Sequence, residues 1–185
     1  MPVSVIEIVN GDLKGEVVAY AFLANEIKET LTQMLLKFVD ETGKENFEDT
    51  KCLVVVKDYS EIGAIRTVTP NAEVHLCSVH AERTMKDSSK LEPQKEKVVA
   101  SMRGMIYSET EEEFERFYDN FKEVASPTPT DYFARNWANI KEKWSIKDKV
   151  IILTLRNYTT NRVEVHNKNI KMVRTVPSDH IMRLA

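Results

Sequence analysis

A strand–helix–strand pattern in the first half of the chain constrains the fold most. "KCLVVV" (51–56) is short, apolar and β-branched, "SEIGAIRTV" (60–68) has helical spacing and is ended by Pro70, and "AEVHLC" (72–77) is a second strand-like run. This order predicts a parallel pair of strands joined by a right-handed crossover helix. An apolar, β-branched run such as residues 52–56 is typical of a strand buried on both faces. The pattern therefore predicts an α/β fold.

The residues before this pattern predict a hairpin and a helix. "VSVIEIV" (3–9) alternates in polarity, "NGDLKG" supplies turn residues, and "EVVAYAFL" (16–23) is a second apolar run, as in a β-hairpin. Apolar residues then recur at helical spacing from a capping Asn25 to Gly43. The first 80 residues thus predict a mixed sheet, made of a hairpin plus parallel strands, with crossover helices.

From His80 onward the pattern turns helical. Acidic residues crowd the start of "SETEEEFERFYDNFKEV", "SPTPT" predicts a break, and "DYFARNWANIKEKW" and roughly residues 160–173 predict further helices. Six aromatic residues of this half occur at helical spacings: Phe114, Phe117, Tyr118, Phe121, Trp137 and Trp144. We expect them to belong to a core rather than to a base-stacking platform.

Composition limits the class of protein. A chain of 185 residues that is 42% hydrophobic can bury the core of one domain. Its formal charge of −3 excludes the general attraction to nucleic acid of a strongly basic domain, so any DNA affinity must be local. Two cysteines, no basic leader and no long apolar window predict a soluble intracellular protein, nuclear or cytoplasmic, with no membrane partner.

Asp58 and Glu164 are the acids that could carry chemistry. Asp58 follows the first strand of the parallel pair, at the sheet edge where α/β folds bind ligands, and a carboxylate there can hold a divalent cation. Taken alone, Asp58 is more often a helix cap. Glu164, in "TTNRVEVHNKNIK", falls in the first turn of a predicted helix, where a solvated carboxylate is the favoured interpretation by itself.

Two further groups accompany these acids. Cys77 and His80 form a Cys-x-x-His, but a zinc site needs two more ligands, so we expect no structural zinc. Instead, Cys77 is predicted to be a small buried side chain, and His80 to open the next helix toward the sheet edge of Asp58. A basic edge that could contact phosphate follows Glu164, as it could on many solvated helices. It consists of Lys168, Lys171 and Arg174.

Four segments in this order resemble the Mutator-like (MULE) transposase domain, most closely the related domain of vertebrate-type zinc-finger SWIM-domain proteins. They are "GEVVAYAFLANEIKETL" (15–31), "VVVKDYSEIGAIRTVTPNAEVHLCSVHAERTM" (54–85), "DYFARNWANIKEKW" (131–144) and "TTNRVEVHNKNIK" (159–171). The middle block is the most specific, because a strand-end Asp, an acid three residues on, Pro-x-Ala and Cys-x-x-His recur there in one order.

The resemblance implies a ribonuclease H-like fold in which an Asp-Asp-Glu set binds two Mg²⁺ ions for DNA strand cleavage and transfer. By position, Asp58 matches the second aspartate, Cys77 and His80 match the family's Cys-x-x-His, and Glu164 matches the final glutamate. The chain would be one partial domain over residues 1–185. Its parts would be the sheet and crossover helices (3–80), a helical insertion (81–158) and a terminal acid-bearing helix (159–173).

The sequence departs from this pattern in two ways. The family's first catalytic Asp ends a strand upstream of the hairpin, and Asp12, in the hairpin turn, does not match it. The cysteines of a SWIM zinc motif are not found. Two carboxylates would leave a magnesium pair under-neutralised. We therefore expect a truncated or domesticated, transposase-derived domain without nuclease activity as written, which binds nucleic acid or protein in the nucleus.

Two alternatives stay open. The first is an active Mg²⁺-dependent strand-transferase or nuclease whose first Asp lies upstream of this chain. The second is a protein-interaction module that uses neither acid nor phosphate. In addition, a ribonuclease H-like sheet without its central first strand leaves two neighbours unpaired, so we expect the chain to be a homodimer or to aggregate.

Overall fold

The computed structural model describes residues 2–9, 15–48, 50–149, 159–161, 163–165 and 168–169. The N-terminal hairpin is confirmed. Strand β1 (Val3–Val9) pairs antiparallel with β2 (Gly15–Phe22), and the register shifts at a bulge between Ile6 and Glu7. Alternating exposure along β2 shows that one face of the hairpin is turned to solvent.

The parallel pair is confirmed as well. Strands β3 (Cys52–Val55) and β4 (Glu73–Leu76) pair in parallel, and the crossover between them contains a helix of residues Tyr59–Val68, named α3 below. The expectation that β3 is buried on both faces is wrong, because only Val55 is buried and the other three residues are half-buried. In the described part of the chain β3 has one partner strand, so its other edge lacks the cover of a central strand.

The single mixed sheet that the sequence predicted is not confirmed. Within the residues that the structure describes, β1 and β2 form one two-stranded sheet and β3 and β4 form another. The hairpin is joined to the rest of the molecule by side chains instead of a strand ladder: Leu23 is buried in the core, and Ile6 and Ala21 pack against it. This packing keeps the two sheets within one hydrophobic cluster.

Two helices separate the hairpin from β3. They are α1 (Lys28–Thr42) and α2 (Lys44–Glu48). The predicted end of α1 at Gly43 is confirmed, since this glycine has a φ of 88°. The predicted start at Asn25 is wrong. Asn25 lies before the helix, where its side-chain oxygen accepts hydrogen bonds from the Ile27 amide at 3.3 Å and the Thr30 hydroxyl at 2.7 Å.

The rest of the described chain is helical. Its elements are α4 (Ser78–Ser88), α5 (Lys95–Tyr107), α6 (Glu111–Val124), α7 (Pro127–Asn136), a 3₁₀ turn (Ala138–Ile140), α8 (Lys141–Trp144) and α9 (Ile146–Lys149). A break does separate α6 from α7 at Ala125 and Ser126, as "SPTPT" predicted. The prolines lie within α7, because Pro127 occupies its first turn, where no amide hydrogen is needed. None of the helices described is long and apolar enough to cross a membrane.

The aromatic residues of the second half form much of the core, as predicted. Phe114, Phe121, Trp137 and Trp144 are buried, and the Trp144 indole donates a 2.9 Å hydrogen bond to the Trp137 carbonyl. Phe117 and Tyr118 are half-buried against this cluster. The same hydrophobic cluster includes residues of β3, β4 and α1, so the helical half packs directly on the parallel strands.

Candidate functional site

Asp58 lies just beyond the end of β3 and caps α3. Its Oδ1 atom accepts hydrogen bonds from the amides of Ser60 at 2.7 Å and Glu61 at 3.0 Å. The side chain is exposed, and its backbone is extended, as a capping residue requires. The capping role that the sequence allowed for Asp58 is therefore present, and the carboxylate stands at the sheet edge where the sequence placed it.

A second acid crowds the same edge. Glu61, in the first turn of α3, is half-buried, and its pKa is raised from 4.5 to about 7. Burial of the carboxyl group is the main cause, and the negative charges of Asp58 and Glu26 add to it. This end of the sheet thus carries a concentration of negative potential.

His80 and Glu164 meet at the first turn of α4. His80 Nε2 lies 2.9 Å from Glu164 Oε1, and Arg83 approaches the second carboxylate oxygen at 3.8 Å. The buried Oε1 receives no well-directed hydrogen bond from the described residues, so the close contact with Nε2 is mainly electrostatic. It is favourable only with a proton on Nε2. Burial lowers the pKa of His80, Glu164 opposes that shift and Arg83 adds to it.

Thr160 links this pair to Cys77. Its hydroxyl lies 3.3 Å from His80 Nδ1, and its amide donates to the Cys77 sulfur at 3.3 Å. Cys77 is fully buried, as predicted, and its own amide donates to the Val55 carbonyl at 2.8 Å, which extends the strand pairing. The two residues of the Cys-x-x-His therefore hold the segment that bears Glu164 against the start of α4.

The structure brings together three of the four residues that match the acids and the Cys-x-x-His of the family pattern. Cys77, His80 and Glu164 converge through Thr160, whereas the hydrogen bonds of Asp58 are made within α3. Across the described ranges, no group of three or more His, Cys, Asp or Glu side chains is arranged to hold a metal ion. These residues do not fit a magnesium pair, which needs several converging carboxylates.

The basic edge is described only in part. Lys168 is exposed and helical, whereas Lys171 and Arg174 lie outside the described residues, as does Asp12 in the hairpin turn. Lys168 is thus open to solvent and lies four residues after Glu164 in the sequence. The prediction of a phosphate contact at these three residues stays a prediction.

Sequence reasoning missed Lys57, beside Asp58. Its ammonium group is half-buried, donates a 2.7 Å hydrogen bond to the Asn136 carbonyl and lies 4.3 Å from the centre of the Trp137 ring. Burial lowers its pKa. The contact ties the end of β3 to the end of α7. No local pattern could have revealed it, because its partner is 79 residues away in sequence.

Comparison with known proteins bears on the first part of the chain. Residues 2–75 match the family model described as zinc finger SWIM domain-containing protein 1/3, RNaseH-like domain. No curated protein matches the chain. The matched range contains Asp58 and ends before Cys77, His80 and Glu164. Over residues 2–75 the chain is thus similar to the RNaseH-like domain of these SWIM-domain proteins, as the sequence predicted for this part of the chain.

Proposed function

We propose that this chain is a ribonuclease H-like domain of transposase descent that binds nucleic acid and does not cut it. The observation that carries the proposal is the separate engagement of its two acids. Asp58 caps α3, whereas Glu164 is held by His80 at 2.9 Å and faced by Arg83. The match over residues 2–75 supports descent from a nuclease fold.

The partners of the acids bear directly on catalysis. Metal-dependent strand cleavage needs carboxylates that converge on one pair of cations. A glutamate that faces His80 and Arg83 is already compensated by positive or proton-donating groups, so it attracts a cation less strongly than a bare carboxylate would. This arrangement favours a structural role for Glu164, in which its contacts with His80 and Arg83 hold the chain around Glu164 against α4.

The same segment supplies the charges for binding. Lys168 is exposed on it, Lys171 and Arg174 follow in sequence, and Arg83 is exposed beside Glu164. Lysine and arginine groups neutralise phosphates and release counterions, which gives affinity without sequence specificity. With a net charge of −3, the chain must rely on such a local cluster. A nucleic-acid ligand also favours action in the nucleus.

Charge reversal tests this proposal. Fluorescence anisotropy of a labelled DNA duplex would be measured with the wild-type chain and with the triple variant Lys168→Glu, Lys171→Glu, Arg174→Glu. We expect the variant to bind at least about tenfold more weakly, since it loses three phosphate contacts and gains three repulsive charges.

The matched control reverses three exposed lysines elsewhere in the chain: Lys37, Lys44 and Lys90. This control variant has the same net charge as the test variant, so it removes the effect of overall charge. We expect it to keep affinity within about threefold of the wild type. Equal losses in the two variants would show that the basic edge is not the binding surface.

An active Mg²⁺-dependent strand-transferase is the second candidate. It is favoured by the two neighbouring carboxyl groups of Asp58 and Glu61, because a divalent cation there would relieve the repulsion that adds to burial in raising the pKa of Glu61. Under this alternative, Asp58→Asn and Glu164→Gln in a longer protein would each abolish magnesium-dependent cleavage. Cleavage that survives in either variant would exclude these two acids from the chemistry.

A further inference from the structure

The start of α7 is tied to the loop between α4 and α5 by two hydrogen bonds. The Ser126 hydroxyl donates to Glu92 Oε1 at 2.6 Å, and the Ser126 amide donates to Glu92 Oε2 at 3.0 Å. Both residues are half-buried, and they are 34 positions apart in sequence. Hydrogen bonds to an ionised carboxylate are stronger than those between neutral groups. We name this pair of bonds the Glu92–Ser126 clasp.

The Ser126 hydroxyl is free for the clasp because it does not cap α7. Ser126 precedes the first residue of the helix, yet its side chain makes no hydrogen bond to the helix amides. Amide donors are scarce there, since Pro127 and Pro129 have none and Thr128 supplies the only amide hydrogen of the first three residues. The start of α7 is therefore poor in groups that could bind an anion.

The residues around Ser126 suit a proline-directed protein kinase. Such a kinase selects serine or threonine before proline, because the proline ring brings no amide hydrogen that needs an acceptor. Pro127 is exposed, and the backbone is extended at Ala125 (φ −82°, ψ 140°) and Ser126 (φ −71°, ψ 169°), as in a peptide bound to a kinase. Thr128 also precedes a proline, but it lies within α7 and Pro129 is buried.

We propose that Ser126 is a phosphorylation site and that its modification opens the Glu92–Ser126 clasp. The phosphoryl donor is a nucleoside triphosphate held by the kinase. Ser126 Oγ forms a bond to the γ-phosphorus, and the bond from that phosphorus to the oxygen bridging it to the β-phosphorus breaks. The nucleoside diphosphate leaves, and the hydroxyl proton passes to a carboxylate of the kinase.

The added phosphate cannot keep the clasp. It brings a charge of about −2 and acceptor oxygens to the place where the hydroxyl donated to Glu92, so the two anions repel each other. Compensation is scarce, because Glu92 forms no ion pair with a lysine or arginine among the described residues. Phe133 stays buried against Phe121 in the middle of α7, so the separation is confined to the start of the helix.

The first test treats the 185-residue chain with a proline-directed kinase and ATP and maps the phosphate by mass spectrometry. We expect phosphate on Ser126 and at least about tenfold less on Thr128, because α7 would have to unwind to expose Thr128. Pro127→Ala should lower incorporation at Ser126 at least about tenfold, since the kinase pocket selects proline. A synthetic peptide of residues 121–132 shows that the kinase is active.

Two variants test the role of the clasp in this reaction. Glu92→Ala should be phosphorylated at Ser126 at least about fivefold faster than the wild type, because two hydrogen bonds no longer hold the serine. The control Glu96→Ala, an exposed acid in the first turn of α5, changes the net charge equally and should leave the rate unchanged. A chain that stays unmodified at Ser126 while the peptide is phosphorylated would overturn the proposal. So would equal phosphate on Ser126 and Thr128, which would mean that only an unfolded segment is modified.

Hydrogen exchange followed by NMR tests the opening of the clasp. In the chain carrying phosphoserine at position 126, protection of the Ser126 amide should fall at least about tenfold, because its acceptor Glu92 is displaced. Protection of the Phe133 amide, in the middle of α7, should stay the same. A Ser126 amide that is equally protected with and without the phosphate would show that the clasp survives modification, and would overturn the proposal.

Discussion

Replacing Glu61 with glutamine should change how stability depends on pH. In the folded chain the Glu61 pKa is raised from 4.5 to about 7 by burial, with contributions from Asp58 and Glu26. Between these two pH values the folded state holds a proton that the unfolded state has released. The contribution of Glu61 to stability is therefore fully present below pH 4.5 and is lost as the pH rises to about 7.

The size of the effect follows from the same two values. Each pH unit between them is worth about 1.4 kcal/mol, so ionising Glu61 in the folded state costs about 3 kcal/mol by pH 8. Glutamine has nearly the same shape and carries no charge. The variant Glu61→Gln should thus unfold like the wild type near pH 4.5 and be more stable by up to about 3 kcal/mol at pH 8.

Urea denaturation at a series of pH values, followed by the fluorescence of the buried Trp137 and Trp144, would measure this difference. Comparing each variant with the wild type at every pH cancels the titration of all other groups. The control is Glu115→Gln, on the exposed face of α6. A stability difference between Glu61→Gln and the wild type that is constant with pH would refute the reasoning.

Three further predictions concern stability, each measured by urea denaturation. Asp58→Ala should cost about 1 kcal/mol through loss of the α3 cap, whereas Asp58→Asn should retain most of it; equal losses would mean that the cap is unimportant. Gly104→Ala should destabilise the chain by about 1–2 kcal/mol, because the added methyl group would overlap the Phe117 ring, while the control Gly63→Ala meets only a flexible side chain and should be close to neutral. Trp144→Ala should cost about 3–5 kcal/mol, and a loss below about 1 kcal/mol would contradict its place in the core.

The hairpin and the parallel pair could be predicted because their signals are local. Alternation in 3–9, the β-branched run at 51–56 and the helical spacing between the parallel strands each specify an element without help from distant residues. The residues at which the helices begin were less predictable. Asn25 accepts a hydrogen bond from the Ile27 amide before α1, and the prolines of "SPTPT" fit the first turn of α7, because both residue types suit a helix start as well as a turn.

The candidate site could be predicted only in part, because contacts between residues that are distant in sequence leave no local signal. Cys77, His80 and Glu164 were singled out by residue type and then by resemblance, but Thr160, which links them, carries no signal of its own. Lys57 was missed because its partner belongs to α7. The absence of a strand ladder between β1 and β3 in the described residues also depends on tertiary packing, which alternation within each strand does not specify.

The salt dependence of DNA binding tests the central claim most directly. If Lys168, Lys171 and Arg174 each neutralise one phosphate, a plot of log affinity against log salt should have a slope of about −3. This result, without magnesium-dependent cleavage of the same DNA, is what the account predicts. A slope near zero would contradict it, because no phosphate would then be neutralised and the chain would be a protein-interaction module.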